Sequence, residues 1–313
     1  MKYSLLSVCL LAIALFTAQA WWETGHMLVA QVAKQELLKK SQNVYSRAEN
    51  ITLFIAGLTK NLSDSFIEAA VWMDDIKSDP WDIFYNWHFI NRPYNPLGLS
   101  IPAIDPMNSV YAVTEALRVL NNTKTRGLTT LTKSIYMRVL LHVMGDMHQP
   151  LHDASLFNRT YPNGDLGVNL EKVFVQSENK TYPLHSFWDS VAFKVPNDMP
   201  RPLQPANISI IEQLAQSFTD EFPRSALQDK LNEKNVTKWT IDCFRDAVES
   251  AYNPLRADMV IDEPYQTQAY ATIRRNIALG GYRIADLLFD VLSREVPTNE
   301  APSFVASKLL QYI

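Results

Sequence analysis

The chain has 313 residues, with 29 lysines and arginines against 33 acidic residues and a formal net charge of −4. That balance excludes a global basic surface that grips nucleic acid through phosphate attraction alone. An anionic substrate has to be held by local charge, and bound divalent cations are the strongest local charges available.

In chain order, residues 1–20 begin with Lys2, continue through an apolar run over 5–16 and end in Thr17-Ala18-Gln19-Ala20. This is the pattern of a secretory signal peptide. The mature chain is therefore expected to begin at Trp21 and to expose its α-amino group there. Removal leaves 313 − 20 = 293 residues, and 29 − 1 = 28 basic against 33 acidic groups, a net charge of about −5. Of the 2 cysteines, Cys9 leaves with the signal and Cys243 remains, so no internal disulfide is expected. No later stretch approaches the roughly 20 apolar residues of a membrane span. Seven Asn-x-Ser/Thr sequons, at Asn50, Asn61, Asn121, Asn158, Asn179, Asn207 and Asn235, fit N-glycans added on a secretory route. The expected destination is outside the cell or a lysosome-like compartment.

Only 9 glycines occur, and apolar residues recur at helical rather than alternating spacing. Helices are expected from Met27 to Leu38 and over 64–73, 109–120, 131–147, 208–218, 236–251 and 268–292. A further short helix is expected to carry His185 and Asp189. The strongest strand candidate is residues 171–175, the start of a small hairpin. Proline-rich 79–106 and Asn-Gly-Asp-bearing 158–169 are expected loops. With no repeat or composition break, the expected fold is all-α: one mainly helical domain over 21–296, then a weakly amphipathic tail over 297–313.

The 6 histidines all fall in four short motifs. These are Trp21-x4-His26, Trp87-His88, His142-x3-Asp146-x-His148-x3-His152 and His185-x3-Asp189. Neutral imidazole with carboxylate is a zinc ligand set, and i, i+4 spacing places two such groups on one helix face. One such pair alone is an ordinary surface contact. Two pairs, with His152 just beyond a helix ended by Pro150, point to a multinuclear metal site. His148 falls at an offset that faces elsewhere and suits packing or outer support. Asp74 and Asp75 close a helix, and either could be a ligand with the other solvated. A free amine at Trp21, together with its own carbonyl oxygen, can chelate a metal.

Seven segments occur in order that resemble the trinuclear zinc nucleases and 3′-nucleotidases of fungi, plants and protists. They include Trp72-Met73-Asp74, Trp87-His88-Phe89-Ile90-Asn91, Gly145-Asp146-Met147-His148-Gln149-Pro150-Leu151-His152, Asn163-Gly164-Asp165 and Leu184-His185-Ser186-Phe187-Trp188-Asp189. The resemblance runs from Trp21 to Leu292. It implies three Zn2+ ions. One would take Asp74, His88, His142 and Asp146; a second the amine and carbonyl of Trp21, His26 and a bridging oxygen of Asp146; a third His152, His185 and Asp189. It further implies hydroxide attack on phosphorus at the Asp146-bridged pair, with 5′-phosphate and 3′-hydroxyl products. Lys77 would contact the phosphate, Phe89 would stack on a base and Asn91 would hydrogen-bond it, giving single-strand preference on DNA, RNA and 3′-nucleotides. The residues alone leave Lys77 as a solvated lysine and Phe89 as core packing.

The chain departs from that pattern in places. Val168 stands where the family's loop usually carries a second glycine, and residues 97–106 have no clear counterpart. Two other readings stay open. A zinc phospholipase C of the same fold carries Glu at the position of Asp189, and a secreted zinc-binding protein could lack catalysis. The chain is expected to act as a monomer.

Overall fold

The computed structural model describes residues 21–60, 62–77, 82–121 and 129–293. The expected signal segment 1–20 and the tail 297–313 lie outside these residues. The helices are α1 (Glu23–Lys40), α2 (Gln42–Leu53), α3 (Trp72–Asp75), α4 (Ser109–Leu120), α5 (Thr129–Asp146), α6 (Leu184–Asp189), α7 (Pro205–Glu221), α8 (Gln228–Asn232), α9 (Val236–Ala247) and α10 (Glu263–Leu292). Among the described residues there are also five strands, none longer than four residues: β1 (Arg92–Tyr94), β2 (Ala154–Leu156), β3 (Lys172–Val175), β4 (Lys180–Pro183) and β5 (Val260–Ile261). The fold is mainly α-helical, as its spacing predicted. Among the described residues, no helix is long and apolar enough to cross a membrane.

Helix α5 lies at the centre. Every residue from Met137 to Asp146 is buried, because α1, α2, α4 and α10 pack around it. A helix apolar on all sides belongs in an interior, and this one does. Its one buried guanidinium, Arg138, donates to Ser63 O at 3.0 Å, Ser63 Oγ at 2.8 Å and Thr52 O at 2.9 Å, so the buried charge is hydrogen-bonded. Pro150 opens a 3-10 turn (Pro150–His152), and Gln149 caps that turn by accepting from Leu151 N at 2.6 Å. That sharp stop turns His152 back toward the end of α5.

Some elements differ from the sequence expectation. Helix α2 was not expected, although Ser41 caps it by accepting from Val44 N and its buried Val44, Tyr45, Ala48 and Thr52 keep helical spacing. Its asparagines, serine and threonine dilute that signal. The stretch 64–73 is a 3-10 turn (Glu68–Val71) leading into the single turn of α3. Ser65 starts that turn, its hydroxyl accepting from Glu68 N. Helix α9 gives way to a π turn (Val248–Tyr252), from which Tyr252 donates to Asp165 Oδ1 at 3.0 Å. A 3-10 helix (Asp82–His88) and β1 occupy the expected 79–106 loop.

The expected hairpin is β3–β4, closed through left-handed Asn179 (φ 48°), but β5 extends it in parallel on the far edge of β3. A second parallel pair, β1–β2, aligns Arg92 with Ala154. It lays Phe89–Asn91 beside His152, whose carbonyl accepts from Ile90 N at 3.0 Å. Of the seven sequon asparagines, Asn61 lies outside the described residues and the other six are exposed or half-buried.

Candidate metal centre

Helix α5 delivers His142 and Asp146 one turn apart, His142 Nε2 lying 3.2 Å from Asp146 Oδ2. Helix α1 brings His26, its Nε2 3.5 Å from Asp146 Oδ1 and 3.8 Å from Asp74 Oδ2. The 3-10 helix ending at His88 sets His88 Nδ1 3.0 Å from Asp146 Oδ2 and 2.9 Å from His142 Nε2. Helix α3 supplies Asp74, whose Oδ1 lies 3.8 Å from His142 Nε2 and 3.9 Å from His88 Nδ1. On the other side, α6 holds His185 and Asp189, with His185 Nε2 3.4 Å from Asp189 Oδ2 and 3.3 Å from His152 Nε2. Among the described residues, three groups therefore have ligand atoms within 4.8 Å of one another: His26/His142/Asp146, Asp74/His88/His142 and His152/His185/Asp189.

Main-chain carbonyls set which ring nitrogen carries hydrogen. His142 Nδ1–H donates to Ala70 O at 2.6 Å, His152 Nδ1–H to His88 O at 2.7 Å, and His185 Nδ1–H to Gly167 O at 2.6 Å. A carbonyl can only accept, so the neutral ring keeps its lone pair on Nε2. On His152 and His185 these two lone pairs face each other, an arrangement that suits a shared cation. Gly167 reaches this position through a left-handed backbone (φ 64°), and a side chain there would press on Leu151 O at 2.2 Å. Val168 keeps a left-handed backbone as well (φ 63°) although it is not glycine.

Electrostatics supports the same fit. His26 Nδ1 and Nε2 and Asp146 Oδ1 are buried with no hydrogen-bond partner. Each such group costs about 1–3 kcal/mol when left unmatched. Burial, and after it neighbouring positive charge, holds His26, His88 and His152 well below the usual imidazole range, so they are neutral as ligands must be. Burial pushes Asp146 up to about 6 and Asp189 well above the carboxylate range. A cation acts in the opposite sense on a carboxylate. The donor set and its orphaned atoms match a divalent metal of the zinc type.

The first residues of the described chain are pinned one after another. Trp21 is fully buried and donates from Nε1 to Gly145 O at 2.8 Å; Trp22 N donates to Asp189 O at 3.0 Å. Glu23 accepts from Arg201, and Thr24 Oγ1 donates to Pro196 O at 2.6 Å. Trp22 is only half-buried, edge-on to Phe193. The choice between the two aspartates resolves by partner: Asp74 turns to the histidines, and Asp75 is held by Arg201 rather than solvated. His148 faces away, donating to Met144 O at 2.7 Å and accepting from Arg283 Nη1 at 2.9 Å.

Lys77 Nζ donates to Asp74 Oδ1 at 3.0 Å, beside the cluster rather than in open solvent. Phe89 is half-buried, edge-on to Tyr85, and with Asn91 lines a cavity of about 170 Å³. Pro102, Ile104 and Asp105 form part of the same wall. The segment without a clear family counterpart thus borders this cavity. A shallower hollow of about 330 Å³ between α4 and the end of α10 contains none of the clustered histidines and aspartates named above. Gln149, which donates to Asp189 Oδ1 at 2.6 Å, and Arg201 escaped the sequence reading. Gln149 sat in plain view inside the most specific motif, whereas nothing in the sequence singled out Arg201.

Among the described residues, the fold and the site define a mainly helical protein with three His/Asp clusters able to hold metal, all buried but for half-buried Asp74. The S1/P1 nuclease family matches residues 21–293, and the chain belongs to that family. It is similar to Endonuclease 3 of Arabidopsis thaliana, 22% identical over 290 residues covering 88% of this chain and 90% of that protein. It is also similar to Nuclease S1 of Aspergillus oryzae, 25% identical over 205 residues covering 59% of this chain and 58% of that one. Membership supports a hydrolytic nuclease function with nucleic acid as substrate.

Proposed function

We propose that this chain is a zinc-dependent endonuclease and 3′-nucleotidase of the secretory route. It acts on single-stranded DNA and RNA and on 3′-nucleotides to leave 5′-phosphate and 3′-hydroxyl ends. The observation that carries the reading is the convergence of five buried imidazoles and the half-buried carboxylate of Asp74 about Asp146 and Asp189, with His26 Nε2 and Asp146 Oδ1, both without a hydrogen-bond partner, 3.5 Å apart. Asp74, His88, His142 and Asp146 would hold one ion, His26 and the Trp21 terminus with Asp146 a second, and His152, His185 and Asp189 a third. Bound zinc supplies Lewis acidity and an activated water for in-line attack on phosphorus.

The protein's own groups do the rest. Asp146 presents one oxygen to His26 and the other to His88 and His142, so it joins the first two groups. Lys77 adds positive charge beside Asp74, where it would meet the phosphoryl oxygens of a bound substrate. Phe89 offers a ring face and Asn91 an amide at the cavity next to His152, which suits an unstacked base and excludes one buried in a duplex. The placement of Trp21 supports a role for its amine after removal of residues 1–20. The exposed and half-buried sequons support N-glycans.

The test is elemental mass spectrometry of the processed protein with turnover on single-stranded DNA, 3′-AMP and phosphatidylcholine. Three zinc ions and hydrolysis of the first two substrates are expected. Hydrolysis of phosphatidylcholine alone, or full turnover in metal-stripped protein, would overturn the proposal.

A further inference from the structure

Arg201 spends all five of its donors inside the protein. Nε donates to Glu23 Oε2 at 3.0 Å and Nη2 to Glu23 Oε1 at 3.1 Å. Nη1 donates to Asp75 Oδ2 at 2.9 Å and to Leu62 O at 2.7 Å, and Nη2 also reaches Asp75 Oδ1 at 2.5 Å. The side chain is 4% exposed. A guanidinium fork matches two carboxylates at once, and an ammonium cannot reproduce five directed bonds.

The two carboxylates are adjacent in sequence to the metal-ligating set without belonging to it. Glu23 sits in the first turn of α1, two residues after Trp21 and one helical turn before His26. Asp75 follows Asp74 directly, at the end of α3. Arg201 therefore ties the start of α1 to the end of α3. The separation it spans includes the 3.8 Å between His26 Nε2 and Asp74 Oδ2. None of Arg201's own contacts reaches His152, His185 or Asp189, and the bond from neighbouring Trp22 N to Asp189 is made to its main-chain oxygen, not to the carboxylate.

We propose that Arg201 is a positioning residue that fixes the spacing of the two metal positions sharing Asp146, and leaves the His152/His185/Asp189 position untouched. This rests on the metal reading given under Proposed function. The closing experiment measures stepwise zinc release from the processed protein against a competing chelator, with zinc alone as the ligand. In Arg201→Met, two of three ions should release at chelator concentrations about 10–100-fold lower, the range for lost outer-shell support, while the third releases unchanged. Arg201→Lys should resemble Arg201→Met, because charge without the fork does not restore spacing. Asp75→Asn and Glu23→Gln each disturb only two of the contacts and should give the same two-ion pattern in weaker form, which serves if Arg201→Met does not fold. Unchanged release of all ions, or equal weakening of all three, would overturn the proposal and leave the metal reading standing. A wild-type protein that retains no zinc overturns both.

Discussion

Gly145→Ala isolates how closely His26 is packed against α5. A methyl built at position 145 would lie 2.7 Å from His26 Nδ1 and 3.2 Å from its Cε1, with Trp21 Cδ1 at 3.6 Å. The obstructing atoms belong to a fully buried ring stacked on His142 at 3.9 Å between centroids, so they are not the loose end of a flexible chain. Alanine gains about 1 kcal/mol over glycine in a helix interior. Overpacking a well-filled interior costs about 1–3 kcal/mol. The second effect wins, for a net loss of up to about 2 kcal/mol and a melting point lower by roughly 2–4 °C per kcal/mol. If the ring that has to move is a ligand, as proposed, the loss should be larger in zinc-loaded than in chelated protein. Gly57→Ala is the control: nothing lies within 4 Å of its added methyl, so stability should hold or rise. Differential scanning calorimetry of both variants, with and without chelator, decides. A Gly145→Ala protein that melts above wild type and retains zinc normally would refute the reasoning.

Three further outcomes are expected. Adding one residue ahead of Trp21 in the processed chain turns its amine into an amide, so mass spectrometry should count one ion fewer; full stoichiometry would count against that ligand. Gln149→Leu removes the donor to Asp189 Oδ1 and the acceptor for Leu151 N, and should weaken retention of the ion at His152, His185 and Asp189 about 10–100-fold, with chelator titration as the check. Arg224→Met breaks bonds to Glu36 Oε2 at 2.5 Å and Asp286 Oδ1 at 3.0 Å that link α1 to α10. Burial pushes both carboxyls up, but Arg224 with Lys39 on Glu36 and Lys40 on Asp286 outweighs it and holds them below their ordinary values. Their stabilisation is fully present above the ordinary carboxylate range and is lost as pH falls below it through the lowered folded values. The wild-type advantage, about 1–3 kcal/mol at neutral pH for a partly buried charged network, should therefore shrink as pH drops below about 4. An advantage constant with pH in urea titrations would contradict this.

Much of this architecture was legible in residue spacing. The buried stripe of α4 and the one-turn pairs His142–Asp146 and His185–Asp189 are local, and local periodicity survives folding. Pro150 as a stop, and His152 just past it, followed from backbone chemistry. The choice between Asp74 and Asp75 was not legible, because it depends on Arg201, more than a hundred residues away in the chain. Helix α2 was hidden by polar residues with weak helix preference, and its formation depends on packing against α5. The parallel β1–β2 pair was equally hidden, since two strands of three residues carry too little pattern to announce a partner.

The carbonyls of Ala70, His88 and Gly167 that orient three of the histidines are main-chain atoms. Exchanging the side chains at those positions does not in itself delete an acceptor, so the outer support of the centre is inherited as a path of the backbone rather than as particular letters. At Ala70 a change of side chain leaves the acceptor in place, whereas Gly167 is held to glycine by Leu151 O and His88 by its own place in the cluster. Remodelling the path itself, by an insertion or deletion near any of the three, is the kind of change that would redirect them.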